Sequence, residues 1–265
     1  MKRHFAIRIA AFAFPVIIGV PSFAQTPPSS SDAKPAAPPY TLTGNVGLYS
    51  QYIFRGLTQT DSKPALQGGF DFAHSNGFYA GTWASNISWL HDSGVVAHGG
   101  SLEWDFYGGY KYAINDDWSL DGGVLYYYYP GSYVAGATNP DTTELYLGAS
   151  WKWLSLKYSH AVSNTFGVPD SRNSRYIDLS ANYPITDAIT LNAHVGRQQF
   201  AGSNNGVSNS GTLSYTDWRL GFTWAVSGWN LGAYYTDTNA KDAGYTLAGR
   251  NIGRAAGTVF VQKTF

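Results

Sequence analysis

Residues 102–112, LEWDFYGGYKY, alternate charge with apolar bulk: Glu103, Asp105 and Lys111 share one parity, and Leu102, Trp104, Phe106, Tyr110 and Tyr112 the other. A helix repeats its faces every ~3.6 residues and a strand every two, so the pattern predicts a strand with one wet and one oily face. The same period, bounded by turn residues, predicts twelve strands, at 41–53, 64–74, 78–88, 101–112, 118–129, 142–151, 153–162, 175–184, 188–199, 214–226, 229–237 and 256–265.

The connections alternate in length. FRGLTQTDSK (54–63), WLHDSGVVAHGG (89–100), PGSYVAGATNPD (130–141), VSNTFGVPDSRNS (162–174), FAGSNNGVSNSGTL (200–213) and TNAKDAGYTLAGRNIGR (238–254) are long. SNG (75–77), AINDD (113–117), Lys152, PITD (184–187) and SG (227–228) are short. A soluble sandwich has no reason to gather its long loops at one end. An outer-membrane barrel does, with short periplasmic turns, longer external loops and an even number of strands. The expected class is therefore all-β, a transmembrane antiparallel barrel of about twelve strands over 40–265.

The faces agree with a lipid exterior. Val46, Leu48, Leu66, Phe70, Phe72, Leu120, Val124, Tyr126, Tyr128, Leu145, Leu147, Leu154, Leu156 and Tyr158 are assigned outward. So are Ile177, Leu179, Ala181, Ile189, Leu191, Ala193, Val195, Trp218, Leu220, Phe222, Trp224, Trp229, Leu231, Ala233, Val259 and Val261. The opposite parity carries Gln51, Gln67, Asp71, Glu103, Asp105, Lys111, Asp121, Glu144, Lys157, Asp178, Asn182, Asn192, Asp217 and Arg219, a set suited to a watery lumen. Asn76-Gly77 is taken as a two-residue hairpin loop. On that register Ser75 faces Phe78 and Phe72 faces Gly81; Trp83 and Ile87 point outward, and Thr82, Asn86 and Ser88 inward. Aromatics gather beside the short turns (Phe72, Tyr112, Trp118, Trp151, Trp153, Tyr183, Trp224, Trp229), as rings at a membrane–water boundary do.

Composition sharpens this picture. The first residues, MKRHFAIRIAAFAFPVIIGVPSFA, have the basic start, apolar stretch and small residues (Ser22, Ala24) of a secretory signal over 1–24. Removing it would take Lys2, Arg3 and Arg8 from the seventeen basic residues and none of the seventeen acidic ones, leaving a net negative chain. A net negative chain has no basic patch for nucleic acid. The absence of cysteine excludes a disulfide-stapled scaffold. Residues 25–39, rich in Pro, Ser and Ala, are expected to form a flexible leader. The chain ends TVFVQKTF; a last strand closing on Phe265 is similar to the signal read by the barrel-assembly machinery of bacterial outer membranes, and Lys263 departs from the usual apolar choice.

YIFRGLTQT (52–60) followed by PALQGGFDFAHSNGFYAGTWASN (64–86) resembles the signature of the TorF-type porin family of proteobacteria, catalogued as conserved proteins of unknown function (Gcw_chp). The matching positions are Phe54, Arg55, Gly56, Pro64, Gln67, Gly68, Gly69, Asp71, Gly77, Tyr79 and Gly81, within a block of about 44–88. The resemblance implies an outer-membrane barrel with pore activity and supplies no substrate. Physically, Arg55 is placed either in the pore mouth, attracting anions, or in an ion pair with Asp61 or Asp71 that pins the first loop. Gly68-Gly69 suits a bend or a close backbone approach.

Several functions compete. A passive channel for small hydrophilic solutes or ions follows from a lumen between those of eight- and sixteen-stranded barrels. Its excess of carboxylates (Asp71, Glu103, Asp105, Asp121, Glu144, Asp178, Asp217) over Lys111, Lys157 and Arg219 favours cations, although Lys111 is expected to face and neutralise Asp121. A substrate-specific transporter would use the inward tyrosines, Tyr49, Tyr107, Tyr127, Tyr129, Tyr146, Tyr176, Tyr215 and Tyr234, which otherwise brace a narrow lumen. The tryptophans Trp83, Trp104, Trp118, Trp151, Trp218, Trp224 and Trp229 take the outward parity. A non-conducting structural barrel would present its long loops instead. An enzyme is not expected: Ser159 and His160 fall on opposite faces, and His74, His91, His98 and His194 lack zinc-ligand spacing. No metal or cofactor is expected, and the expected partners are outer-membrane lipid, the assembly machinery and the solutes themselves.

Overall fold

Strands of two-residue period with an oily and a wet face cannot end in an exposed edge within lipid, and closing the sheet on itself removes the edge. A computed structural model describes residues 38–265. The expected signal peptide and residues 25–37 of the expected leader lie outside the described residues. Twelve strands form one closed antiparallel barrel. They are β1 (Tyr40–Tyr49), β2 (Ala65–His74), β3 (Phe78–Asn86), β4 (Leu102–Ala113), β5 (Trp118–Tyr128) and β6 (Thr142–Trp151). The second half comprises β7 (Leu154–Ala161), β8 (Arg175–Pro184), β9 (Ile189–Gln199), β10 (Tyr215–Val226), β11 (Trp229–Thr238) and β12 (Ala256–Thr264). Each pairs with its neighbours in sequence, and β12 returns to β1 with Val261 opposite Leu48. The C-terminal Phe265 exchanges backbone hydrogen bonds with Gly44.

Long and short connections alternate as expected. Outside β3, the exposed large apolar side chains of the strands lie on the assigned outward parity, from Leu48 and Leu66 through Leu147 and Leu179 to Val259. Along the short-turn rim Trp118, Trp151, Trp153 and Tyr183 follow one another at ring separations of 6.1, 6.5 and 5.4 Å. Lys263 does not stand apart from this belt: its ammonium lies 5.1 Å over the Trp229 ring.

Two expectations fail. The first concerns β3. Ser75, Asn76 and Gly77 form a three-residue connection in which Asn76 Oδ1 accepts from the Phe78 amide and only Gly77 has positive φ (103°). A two-residue type I′ loop needs positive φ at both central residues. Phe72 therefore faces Ala80 rather than Gly81. A slip of one residue turns every side chain over. Trp83 (5% exposed), Ser85 and Ile87 face inward, whereas Phe78 (59%), Thr82 and Asn86 face outward. Ser88 lies beyond the strand, at the start of the short helix Trp89–Asp92.

The second concerns the end of the first strand. β1 stops at Tyr49, and the chain turns into the barrel. Ile53-Phe54 pairs with Leu57-Thr58 around Arg55 (φ 46°) and Gly56 (φ 79°), the positive pair that a two-residue loop does require. A Cβ on Gly56 would lie 2.4 Å from Thr238 and 2.6 Å from Asp217, so this tip reaches the wall formed by β10 and β11. Gly69 marks a close backbone approach, since a Cβ there would come 2.4 Å from the Thr82 carbonyl. Tyr49, Tyr52, Trp83, Leu90, Leu125, Tyr127, Tyr129 and Tyr146 pack together inside the barrel around the first loop.

Candidate functional site

The interior is built by one parity of every strand. Asp71, Glu103, Asp105, Asp121, Glu144, Asp178 and Asp217 all project into it, with Gln51, Gln67, Tyr107, Lys111, Tyr146, Lys157 and Arg219. Few of the carboxylates stand free, because tyrosine hydroxyls answer them. Tyr52 and Tyr129 donate to the two oxygens of Glu103 at 2.6 and 2.9 Å, and Glu103 is 0% exposed. Tyr107 donates to Asp71 at 2.5 Å, Tyr79 to Asp121 at 2.7 Å, and Tyr176 to Asp217 at 3.1 Å. Tyr79 is also hydrogen-bonded to Tyr146. Tyr176 fits flat against β9 because position 196 is glycine; a Cβ there would lie 1.9 Å from its hydroxyl.

Cations occupy the same interior. Lys111 stands opposite Asp121, as expected, while the close partner of Asp121 is Tyr79. Lys157 lies 4.0 Å over the Tyr146 ring and Arg219 5.1 Å over that of Tyr234. His194 places Nδ1 2.6 Å from Asp178 and Nε2 3.2 Å from Asp217, so its two ring nitrogens clasp two carboxylates. Only the imidazolium can donate at both.

Arg55 does enter the lumen, and neither expected partner holds it. It donates to Glu144 on β6 and to Gln198 on β9, each at 2.7 Å, and its guanidinium lies 4.2 Å over the Tyr176 ring. The guanidinium is buried, and the Glu144 carboxylate beside it is its countercharge. Asp61 pairs instead with Arg250 at 3.0 Å, and Asp71 is served by Tyr107. The charge of Arg55 is thereby spent on a cross-lumen anchor and does not face arriving anions.

Beneath the loop, two carboxylate oxygens, Asp105 Oδ1 and Asp71 Oδ2, are buried with no protein hydrogen-bond partner among the described residues. Toward the short turns of β5 to β10 the lining includes small hydroxyl and amide groups, beside Tyr79, Lys111 and Asp121 on β3 to β5. Ser119, Ser150, Ser155 and Ser180 stand in register across β5 to β8, and Asn192 links Asn182 to Thr223 by bonds of 2.7 and 2.8 Å. The first loop and several tyrosines fill the long-loop side of the lumen, and the short-turn side mixes small polar groups with Tyr79, Lys111 and Asp121.

Sequence reasoning missed four of these residues. Tyr52 falls within the expected first strand, and the slip in the expected register displaces Tyr79 and Trp83 from the inward parity. His194 shares the inward parity of Asn192, which was signal enough to place it in the lumen. Ser159 is buried inside and His160 faces out, so the two do not meet.

The model of Gcw_chp, described as a bacterial protein of unknown function, matches residues 32–265. No curated protein matches the sequence. Among solved structures, a KdgM porin superposes with a TM-score of 0.52 at 10% identity, covering 84% of this chain and 99% of that one. A KdgM porin in complex with disordered oligogalacturonate gives 0.51 at 10% identity, over 84% and 99% of the two chains. A NanC porin gives 0.51 at 12% identity, over 84% and 98%. These likenesses establish a shared barrel fold.

Proposed function

We propose that this chain, which belongs to the Gcw_chp family of bacterial proteins of unknown function, is an outer-membrane channel for small hydrophilic solutes, selective for cations and throttled by its own first loop. The observation that carries this reading is the division of the lumen. A polar lining that includes Ser119, Ser150, Ser155 and Ser180 on the short-turn side leads to a carboxylate-bearing middle, and a hairpin seated on Glu144 and Gln198 occupies the other side. Water-compatible groups along a barrel interior serve passage, while a barrel with only a structural role can fill its interior with apolar side chains.

Cation preference rests on number and position. The inward carboxylates outnumber Lys111, Lys157, Arg219, the His194 imidazolium and the neutralised Arg55. Asp105 and Asp71 each keep a buried carboxylate oxygen without a hydrogen-bond partner among the described residues. Rings of carboxylate attract cations and repel anions at such a constriction. The oligogalacturonate named with one structural relative is an acidic sugar, and this waist disfavours that class of solute. The tyrosines support bracing over sugar stacking, since the hydroxyls of Tyr52, Tyr107, Tyr129 and Tyr176 are committed to carboxylates.

Single-channel recording of the refolded chain in planar lipid tests the proposal. Small unitary steps are expected, with a reversal potential on the cation side in a KCl gradient. Silent bilayers containing demonstrably inserted protein would overturn it.

A further inference from the structure

Near the long-loop end, the outer face of the barrel carries three nitrogen-rich side chains that the channel does not use. His160 on β7, Arg175 on β8 and Arg197 on β9 lie on the outward parity, and both arginines are exposed. His160 stands directly opposite Arg175, and Arg175 opposite Gln199. Arg197 is then the diagonal neighbour of Arg175, a spacing of ~7–8 Å.

Three features single this cluster out. No ion pair among the described residues includes either arginine, and their close partners are neutral: Arg175 Nε donates to Gln199 Oε1 at 2.9 Å and Arg197 Nη1 to Thr216 Oγ1 at 3.1 Å. Like charges set beside one another across strands are unfavourable unless an anion joins them. The neighbours below are lipid-facing: Ile177, Leu179 and Val195 are exposed and apolar. Finally, the height fits. Eight residues separate Arg197 from Ile189 and Arg175 from Tyr183 at the opposite rim. At ~3.4 Å per residue and a tilt of ~40° that is ~20 Å, close to the ~25 Å apolar band of outer-membrane barrels. The guanidinia therefore stand where hydrocarbon gives way to headgroups.

We propose that His160, Arg175 and Arg197 form a binding site on the barrel exterior for the phosphorylated sugar headgroup of an outer-leaflet lipid. Arginine forks match phosphate oxygens in paired hydrogen bonds. Gln199, Thr216 and Asn173, the last hydrogen-bonded to His160 at 3.3 Å, supply neutral groups for the sugar. Orientation follows from the adjoining loops, since β8 begins and β9 ends at long, external connections. The inference rests on the outer-membrane reading, and the tyrosines and carboxylates of the lumen play no part in it.

Native mass spectrometry of the full chain in non-ionic detergent, titrated with bis-phosphorylated lipid A, tests the site. Dephosphorylated lipid A and inorganic phosphate serve as the other two arms. We expect retention of the phosphorylated lipid, about tenfold weaker binding by Arg175→Gln/Arg197→Gln, and an intermediate loss in the paired lysine variant. Equal retention of the dephosphorylated lipid, or unchanged binding by the double variant, would overturn the site. Displacement by millimolar inorganic phosphate would overturn its assignment to a lipid headgroup. The glutamine variant must keep wild-type conductance. A chain that binds lipid but never conducts refutes the channel and leaves this site standing, and the converse result does the opposite.

Discussion

Arg55, at the tip of the first loop, holds Glu144 on β6 through a 2.7 Å ion pair in which the side chains are only 6% and 2% exposed. The two residues are far apart in sequence and lie on different elements, one a loop and one the wall. A buried pair of this kind contributes little net stability, but breaking it by removing one partner leaves an uncompensated charge. The contact therefore seats the loop in one place and makes its release costly.

Replacing Arg55 with alanine should raise unitary conductance, because the hairpin loses its cross-lumen anchor. The same variant should lose ~3–5 kcal/mol of stability, since Glu144 is left buried and unpaired. Arg55→Ala/Glu144→Gln should regain much of that stability while keeping the larger conductance. Bilayer recording and urea unfolding of the reconstituted variants separate the two effects. Unchanged conductance in both would show that this hairpin does not set the constriction.

Tyr52→Phe removes one of the two hydroxyls that satisfy Glu103. A loss of ~1–3 kcal/mol is expected from the unsatisfied buried oxygen. Tyr112→Phe, on the exposed outer face at the short-turn rim, should change the unfolding midpoint far less.

Neutralising the waist tests selectivity. Glu103→Gln with Asp105→Asn should move the reversal potential in a KCl gradient toward the chloride side. A reversal potential that ignores both substitutions would place the selective step elsewhere.

The inward position of Trp83 has a spectroscopic consequence. Brominated acyl chains should quench the fluorescence of Trp104 and Trp218, whose rings are exposed on the outer face, and leave Trp83 untouched. Trp83→Phe should thus leave the quenchable amplitude unchanged, and Trp104→Phe should reduce it. The opposite result would restore the other register of β3.

The number of strands, their near boundaries and the outward parity of all but one were legible in the sequence. Those properties are local: the two-residue period of LEWDF and the turn residues between runs act within a few positions. The cross-strand pairing of Lys111 with Asp121 was legible too, because a short turn fixes its register. The β2–β3 register was not, since Asn76-Gly77 suits two loop lengths and a single added residue inverts the strand. The placement of Arg55 on Glu144 and Gln198, and of His194 between Asp178 and Asp217, depended on closure of the whole barrel. Alternation tells each side chain which face to take, but which groups meet across the lumen depends on the stagger of twelve strands and the path of a loop. Only the assembled cylinder brings those distant positions within hydrogen-bonding reach.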